Sequence, residues 1–368
     1  MGQFLDGHPH DDSPCSRHGI AIFSFGWIEA LHSMRKLFQS PRWKKHSARR
    51  SEYELRHRRI RRDNRKHWEG KHKPAPKYTI AHKTVVAPSN FDLAKNTAEC
   101  LEFFQQLQDL FGKSRSIYVD LSQVTNISTG SILYLLSRLD YAKSLGLRSL
   151  IAGNVPQNQR CEEFVRKSGF WNFVSAPGGI VREADDQYFE IVSDTEVTST
   201  SVKAIESFAT RHHALPESAR ATYVSIIEAI SNTRNHAYAP RAHYRRWWLM
   251  AYRDSTTNRI YVAVLDNGDG IPVTIHRKGH EKVQEKLSIL LGHNHGSLIL
   301  SALKGEGRTR TRAGHRGTGL PKIYELAHLG RLANLVVLSR RGRVTCCDGD
   351  ASEMPVDFQG TLLSWEMS

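Results

Sequence analysis

The chain is poor in cysteine and has no long apolar run. Its 368 residues include 5 cysteines, an odd number, and Cys346 and Cys347 are adjacent. This usage is typical of reduced thiols in a cytosol and not of a disulfide framework. No apolar run approaches the roughly 18 residues needed to cross a bilayer. The first residues, rich in His and Asp, are not typical of a secretory signal. The sequence therefore predicts a cytoplasmic protein without a transmembrane segment.

Several common nucleotide-site and metal-site motifs are also missing. No Gly-x-x-x-x-Gly-Lys-Ser/Thr sequence occurs, which excludes a P-loop protein. Gly317 and Gly319 are not followed by the third glycine of a dinucleotide fingerprint, because Lys322 stands at that position. No His-Glu-x-x-His occurs, and among 19 histidines some pairs at metal-binding spacing are expected by chance. These absences leave other nucleotide-binding folds to be considered.

Acidic residues are fewer than basic ones, but the imbalance is local. The chain has 52 Lys/Arg and 37 Asp/Glu, a net charge of +15. Residues 35–73 hold 16 basic and 4 acidic side chains, so they carry +12 and leave +3 for the remainder. At 39% hydrophobic residues the chain can build two cores besides a tail. The charge therefore belongs to a basic N-terminal tail over residues 1–75.

Three interpretations of this tail are open. Its arginines, with Trp43 and Trp68, could bind the phosphates of nucleic acid and stack on its bases. An anionic membrane is the second possible partner, because an apolar patch at residues 20–31 precedes the basic run. A solvated helix or arm without a specific partner is the third. Translation could also begin at Met34, which would make residues 1–33 dispensable.

Residues 76–180 alternate between predicted strands and helices. Strands are expected at 84–87, 116–121 and 147–152, and helices at 93–111, 131–143 and 161–168. Strands joined through helices imply a mainly parallel sheet with helices packed on it.

This region resembles STAS domains, the fold of anti-sigma-factor antagonists. The resemblance rests on Asp120-Leu-Ser-Gln-Val-Thr-Asn-Ile-Ser128-Thr129-Gly130-Ser131 and on Phe164-x-x-x-x-Gly169-Phe170. In that family a hydroxyl in an Asp-Ser-Ser/Thr-Gly turn is phosphorylated, whereas this chain has Gly130 at the acceptor position. Thr129 or Ser131 could accept the phosphoryl group instead, or the domain could act without phosphorylation, with its hydroxyls only capping a helix. The resemblance implies a regulatory protein partner for this region.

A polar helix face is predicted further along the chain. Between residues 216 and 238 the apolar residues recur at helical spacing. At about 100° per residue the opposite face holds one acid, two amides and an imidazole: Glu228, Asn232, Asn235 and His236. An acid can orient a water or a hydroxyl, and an amide oxygen is a hard ligand for Mg²⁺. This face therefore suits a divalent cation bound to phosphates.

A carboxylate followed by glycines forms a second candidate segment. Asp266 ends the apolar run 260–265, which is typical of a buried strand, and Gly268 and Gly270 follow. The glycines allow the backbone to turn sharply and to approach a flat ring. A buried carboxylate needs hydrogen-bond donors, and the exocyclic amine of adenine is a suitable one.

A phosphate-binding loop is predicted next to a lid. Gly317-Thr-Gly319 leads into a helix expected at 320–329, and free N–H groups at a helix start favour anions. Residues 271–314 are expected to form a lid that contains an arginine-rich stretch. Arginines grip phosphate oxygens in pairs, so this stretch could contact a nucleotide. The alternative is an exposed basic loop.

In order and residue type these segments resemble the GHKL superfamily of gyrase, MutL, heat-shock chaperones and sensor histidine kinases. The nearest similarity is to anti-sigma-factor serine kinases, whose first motif also runs Glu-x-x-x-Asn-x-x-x-His, and it covers residues 185–368. It implies a catalytic or water-orienting role for Glu228, Mg²⁺ ligation by Asn232 and adenine recognition by Asp266. The other positions that it implies in ATP binding are Asn235, His236, Gly268, Gly270, Arg316, Gly317, Gly319 and Leu320.

The sequence thus predicts an α/β protein in three parts: a tail at 1–75, a STAS-like domain at 76–180 and a GHKL-type domain at 185–368. The last is expected to be a two-layer sandwich of a mixed sheet with helices on one face. The predicted function is a cytosolic regulatory protein that binds ATP and Mg²⁺ and transfers the γ-phosphoryl to water, to a protein Ser/Thr or not at all. The alternative is a non-catalytic, nucleotide-gated module whose tail binds nucleic acid. A homodimer is left open.

The short connection between the two predicted domains suggests self-modification. Only residues 180–187 separate them, so their effective concentration would be on the order of millimolar. Residues 128–131 are therefore expected to face the stretch from Arg308 to Arg316, with Thr129 or Ser131 as the phosphoacceptor.

Overall fold

The computed structural model of the chain describes residues 82–114, 116–146, 150–174, 185–195, 199–236, 244–278, 294–306 and 319–367. Residues 80–368 form one compact unit. The predictions on the basic tail, for nucleic acid or a membrane, concern residues outside the described ranges. Among the residues described, no helix is long and apolar enough to cross a membrane.

The first region contains a small parallel sheet. Its elements are β1 (Lys83–Val86), β2 (Asn90–Phe91), α1 (Thr97–Leu110), β3 (Ser116–Asp120), β4 (Asn126–Ile127), α2 (Thr129–Ser144), β5 (Leu150–Gly153) and α3 (Gln159–Lys167). The strand order is β1-β3-β5, and both pairings are parallel. Parallel strands need a crossover connection, which the helices supply. The predicted parallel sheet with helices is confirmed.

One helix of this region begins later than predicted. It was expected from residue 93 and begins at Thr97. The Asp92 carboxylate accepts a hydrogen bond from the N–H of Ala94 at 2.9 Å, and the Asp92 carbonyl accepts one from Asn96. These bonds form a turn before the helix, a use of Asp that competes with helical geometry.

The second region is built around a five-stranded sheet. Its elements are β6 (Tyr188–Asp194), α4 (Ser199–Arg211), α5 (Pro216–His236), β7 (Trp247–Asp254), β8 (Arg259–Asp266), α6 (Ile271–Lys278), α7 (His295–Lys304), α8 (Gly319–His328), β9 (Ala333–Thr345) and β10 (Asp350–Met367). The strand order is β6-β7-β8-β10-β9, and every neighbouring pair is antiparallel. The expectation of a mixed sheet here was wrong. Short turns join β7 to β8 and β9 to β10, and the pairs β6–β7 and β8–β10 are antiparallel across longer connections. The parallel pairings lie in the first region.

Helices cover both faces of the five-stranded sheet, where the sequence predicted only one covered face. Side chains alternate between faces along a strand. Two neighbouring tryptophans on β7 illustrate this. Trp247 packs in the core formed by α4, α5, α7 and α8, whereas Trp248 packs in the core formed by α1 and α2. On β10, Leu363 and Leu362 divide in the same way. The first region therefore supplies the second helical layer.

The two regions share one hydrophobic core. The ring of Tyr134 on α2 stacks on Phe358 of β10 with centroids 4.2 Å apart. The Tyr134 hydroxyl accepts a hydrogen bond from the N–H of Gln359 at 3.0 Å. Elsewhere, the N–H of Ile191 on β6 donates to the carbonyl of Ser168 at 2.9 Å. Apolar packing and hydrogen bonds thus join the regions at several places.

This shared core predicts that the two regions unfold together. Phe358 is fully buried, and its replacement by alanine should lower the free energy of unfolding by about 3–5 kcal/mol. Chemical denaturation should still give one transition, because the same ring supports both regions. The matched control is Leu145→Ala at an exposed position of the first region, with a change of about 0.5 kcal/mol or less. Two separate transitions in the wild type would contradict the shared core.

Candidate functional site

Helix α5 provides the platform of the site. It begins at Pro216. Proline suits the first turn of a helix, because the N–H group that it lacks would have no partner within the helix there. Ile226 and Ile230 are fully buried and face the sheet. The indole N–H of Trp365 on β10 donates to Thr222 Oγ1 at 3.0 Å. These contacts fix the helix on the sheet and leave the half-buried Glu228 and Asn232 on its polar side.

The first turn of α8 lies directly against that polar side. A Cβ atom on Gly319 would be 2.6 Å from Glu228 Oε2 and 3.1 Å from Asn232 Nδ2. Only a glycine allows this approach without displacing the carboxylate. Ile323, one turn further along α8, is buried in the same core as Ile230. Two segments almost 90 residues apart in the sequence therefore meet, and a helix N-terminus adjoins an acid and an amide.

Asp266 joins the same group from the end of β8. Its carboxylate accepts a hydrogen bond from the N–H of Gly268 at 2.7 Å and one from Thr233 Oγ1 at 3.4 Å. Thr233 directly follows Asn232 on α5, so the end of β8 lies at the same turn of the helix, on its buried side. Burial raises the pKa of Asp266 to about 6, and these hydrogen bonds oppose the increase.

The backbone after Asp266 turns sharply, as predicted. Gly270 has a φ of +89°, and a Cβ atom there would be 2.8 Å from Ser339 Oγ. The same hydroxyl accepts a hydrogen bond from the N–H of Ile271 at 2.9 Å and donates to the carbonyl of Gly360 at 3.0 Å. The turn is thus tied to β9 and β10, and α6 starts from it.

Several predicted site residues have no described surroundings. Asn235 and His236 lie in α5, as predicted, but their side chains are outside the described set. Arg316 and Gly317 also lie outside the described residues, as does the arginine-rich stretch from residue 307 onward. Leu320 is half-buried and packs against the helical core. Of the expected lid, α6 and α7 are described, and they show that this part of it is helical.

The two candidate phosphoacceptors are buried at the start of α2. Thr129 and Ser131 are 2% and 0% exposed. The Ser128 side chain accepts a hydrogen bond from the N–H of Ser131 at 3.3 Å, so the interpretation of this segment as a helix cap is confirmed. Ser131 Oγ in turn accepts a hydrogen bond from the N–H of Leu93 at 2.9 Å.

Gly130 holds the start of α2 close to the sheet. A Cβ atom on Gly130 would be 3.0 Å from Leu362 Cδ2. Leu362 packs in the core of α1 and α2, on the opposite face of the sheet from α5 and α8. Phosphorylation of Thr129 or Ser131 stays a prediction, and it would require the start of α2 to separate from the sheet.

The residues near Gly319 suit a magnesium ion that is bound mainly by phosphates. In the part of the chain that the structure describes, no group of three or more His, Cys, Asp or Glu could hold a metal. Mg²⁺ in nucleotide sites takes only one or two protein ligands and completes its shell with phosphates and water. Among the residues that the structure describes, the buried Asn232 Nδ2 has no hydrogen-bond partner, so this amide is not committed to the protein core. An amide and an acid one helical turn apart therefore fit such an ion.

Sequence reasoning missed Thr233. The side chain of this residue points to the buried side of α5, where it donates to the carbonyl of Ala229 at 3.0 Å and contacts Asp266. A hydroxyl on the apolar side of an amphipathic helix is the signal that could have identified it, because such a group needs a partner.

Adding one methyl group at Gly319 should lower turnover and leave the free energy of unfolding almost unchanged. In Gly319→Ala the new Cβ would displace the Glu228 carboxylate, the flexible end of a side chain. Glu228 is the catalytic group that the sequence predicts, and we expect any nucleotide turnover to fall at least tenfold, since a small misplacement of such a group is costly. The free energy of unfolding should change by only about 1 kcal/mol, because crowding is partly offset by the helix propensity of alanine. Turnover equal to that of the wild type would show that Glu228 and Gly319 do not act together.

No protein-family model matches the chain, and a search of curated proteins finds no significant relative.

Proposed function

We propose that residues 185–368 bind ATP with Mg²⁺ and that the chain is a nucleotide-dependent regulatory protein with kinase or ATPase chemistry. The observation that supports this most is the convergence of three segments that sequence motifs had selected separately. Gly319 lies against Glu228 and Asn232, and Asp266 contacts Thr233 on the same helix.

Asp266 is assigned to the adenine base. Its carboxylate is buried and accepts a hydrogen bond from the N–H of Gly268. An ionised carboxylate can accept further hydrogen bonds, and the exocyclic amine of adenine would supply one. The turn at Gly268 and Gly270 would lie beneath the flat ring, since glycine permits a close approach of the backbone.

The phosphates are assigned to the N-terminal end of α8, beside the polar side of α5. Free N–H groups at the start of a helix and its dipole both favour anions. Asn232 would hold the Mg²⁺ ion, which when bound would neutralise charge on the phosphate oxygens. The Glu228 carboxylate would orient a water or a hydroxyl and accept its proton. The same geometry serves transfer to water or to a protein hydroxyl, and the first region would contact the regulatory partner.

Calorimetric titration of the whole chain with ATP and GTP, with and without Mg²⁺, tests this function. Asp266 should accept a hydrogen bond from the amine of adenine, whereas guanine has a carbonyl oxygen at the corresponding position. A buried acceptor that faces another acceptor should cost about 100-fold or more in affinity. We expect ATP to bind, GTP to bind far more weakly, and Mg²⁺ to strengthen ATP binding. Absence of ATP binding, or equal affinity for the two nucleotides, would contradict the proposal.

ATP affinity should also depend on pH near neutrality. Burial raises the pKa of Asp266 to about 6, so the carboxyl group becomes protonated below that pH and loses its accepting charge. We expect the affinity to be constant above about pH 7 and to fall up to tenfold per pH unit below about pH 6. Titrations from pH 5 to pH 8 measure this dependence, with Asp266→Asn as the variant in which the transition should be absent.

A further inference from the structure

A buried arginine of the first region contacts the turn that follows Asp266. Arg138 on α2 is 2% exposed. Its Nη2 donates to Asn267 Oδ1 at 3.0 Å, and its Nη1 donates to Gln359 Oε1. The rings of Tyr134 and Tyr141 lie 5.1 and 5.3 Å from its guanidinium carbon. A residue from the helical layer behind the sheet thus reaches the backbone turn of the proposed adenine site.

The hydrogen-bond acceptors of Arg138 matter, because burying a guanidinium group without partners would cost free energy of folding. Arg138 donates to oxygens of two residues of the second region. Asn267 directly follows the end of β8, and Gln359 lies at a register irregularity of β10 between Phe358 and Thr361. Asn267 lies between Asp266 and Gly268, whose hydrogen bond defines the turn. Asn267 is therefore the residue through which α2 can act on the carboxylate.

A second connection from α2 converges on the same residue. Asp140 accepts a hydrogen bond from the hydroxyl of Tyr244 at 2.5 Å and pairs with Arg246 at 3.5 Å. The carbonyl of Arg246 accepts a hydrogen bond from the N–H of Asn267 at 3.2 Å. Both the side chain and the backbone of Asn267 are thus connected to one helix of the first region.

We propose that Arg138 is a positioning residue for the nucleotide turn, and that α2 is part of the nucleotide site as well as a cover for the sheet. This inference rests on the proposed function of residues 185–368. Arg138 acts through Asn267, whose fixed side chain keeps Asp266 and Gly268 in the geometry that receives the base. Because coupling between sites is reciprocal, a partner that displaces α2 would weaken nucleotide binding, and the nucleotide would weaken binding of that partner.

Two variants of Arg138 and one matched control test this positioning. Arg138→Met removes the donors, and Arg138→Lys keeps the charge but loses the fork. The control is Arg343→Met, because Arg343 also bridges the regions but donates to the carbonyl of Ala94, at 3.2 Å, and not to a residue of the turn. We expect ATP to bind about tenfold more weakly to Arg138→Met, because one charge-assisted hydrogen bond to Asn267 is lost. Arg138→Lys should have an intermediate effect. Arg343→Met should bind like the wild type.

Hydrogen exchange provides a readout that does not depend on nucleotide. In the nucleotide-free chain, Arg138→Met and Arg138→Lys should accelerate amide exchange at residues 266–270, and Arg343→Met should not. A double-mutant cycle then separates positioning from general stability. If Arg138 acts through Asn267, Arg138→Lys should have no further effect on ATP affinity in an Asn267→Ala background.

The outcomes distinguish the positioning from the function on which it rests. Unchanged exchange at 266–270 together with unchanged ATP affinity in both Arg138 variants would overturn the role of Arg138 alone. Equal effects of Arg138→Met and Arg343→Met would also overturn it, since they would report only a loosened interface. A wild-type chain that binds no ATP would overturn the nucleotide function, and the exchange experiment would still decide whether Arg138 orders the turn.

Discussion

The Asp266→Asn variant is expected to bind ATP at least 100-fold more weakly than the wild type and to remain folded. The carboxylate lies at the end of β8, buried and held by Gly268 and Thr233. In asparagine one oxygen becomes an amide N–H₂ group, which would face the exocyclic amine of adenine as donor to donor. A buried unsatisfied donor costs about 1–3 kcal/mol, and the lost charge adds to this. Each 1.4 kcal/mol corresponds to about tenfold in affinity.

The control for this variant is Asp269→Asn in the same turn. It changes the net charge by the same amount and leaves the buried carboxylate in place, so ATP affinity should stay within about threefold of the wild type. Calorimetry gives the affinities, and chemical denaturation shows that both variants are folded. Similar affinities for Asp266→Asn and the wild type would remove Asp266 from the adenine site.

Replacing Glu228 should abolish turnover and spare binding. In Glu228→Gln the side chain keeps its shape beside Gly319 and loses the ability to accept a proton. General-base groups contribute about 10²–10⁴-fold to rates, and we expect a loss of that size in ATP hydrolysis or phosphoryl transfer. Affinity for ATP should change no more than about threefold, because the acid acts mainly in the transition state.

Two further variants of α5 serve as a control and as a test of the metal site. Glu217→Gln makes the same chemical change at the start of the helix, where Glu217 pairs with Arg331 on the surface, and turnover should be unchanged. Asn232→Ala should lose the Mg²⁺ dependence of ATP binding, since it removes the proposed Mg²⁺ ligand, one turn from Glu228. Wild-type rates in both Glu228→Gln and Asn232→Ala would mean that the chemistry does not take place on this side of α5.

Local features of the site could be predicted from the sequence. The expected helix at 216–238 corresponds to α5 (Pro216–His236), and the helix expected at 320–329 corresponds to α8 (Gly319–His328). The strand that ends at Asp266 is also present. These elements depend on apolar periodicity and on Pro and Gly signals, which act over a few residues.

The layer behind the sheet could not be predicted in the same way. It depends on contacts such as Tyr134 with Phe358 and Arg138 with Asn267, which join residues more than 100 positions apart. One local signal was present nevertheless. The run from Trp247 to Ala251 is apolar without alternation, and every side chain in it is buried. In an antiparallel strand such a run indicates that both faces of the sheet are covered.

The packing of α2 also explains a residue that the sequence left ambiguous. By the resemblance to STAS domains, Gly130 takes the position of a hydroxyl residue, and in the structure it lies against Leu362. From the sequence alone, a missing hydroxyl suggested a neighbouring Thr or Ser as a substitute. In the structure the same glycine allows a close approach between helix and sheet, a requirement that only the tertiary contact reveals.

Hydrogen exchange with and without ATP and Mg²⁺ tests most directly whether the separate segments form one nucleotide site. ATP should protect amides at residues 228–236, 266–270 and 317–320 together, and the protection should disappear at all three in Asp266→Asn. Protection at only one of these segments, protection confined to other parts of the chain, or no protection at saturating ATP would contradict a single site built from α5, the end of β8 and the start of α8.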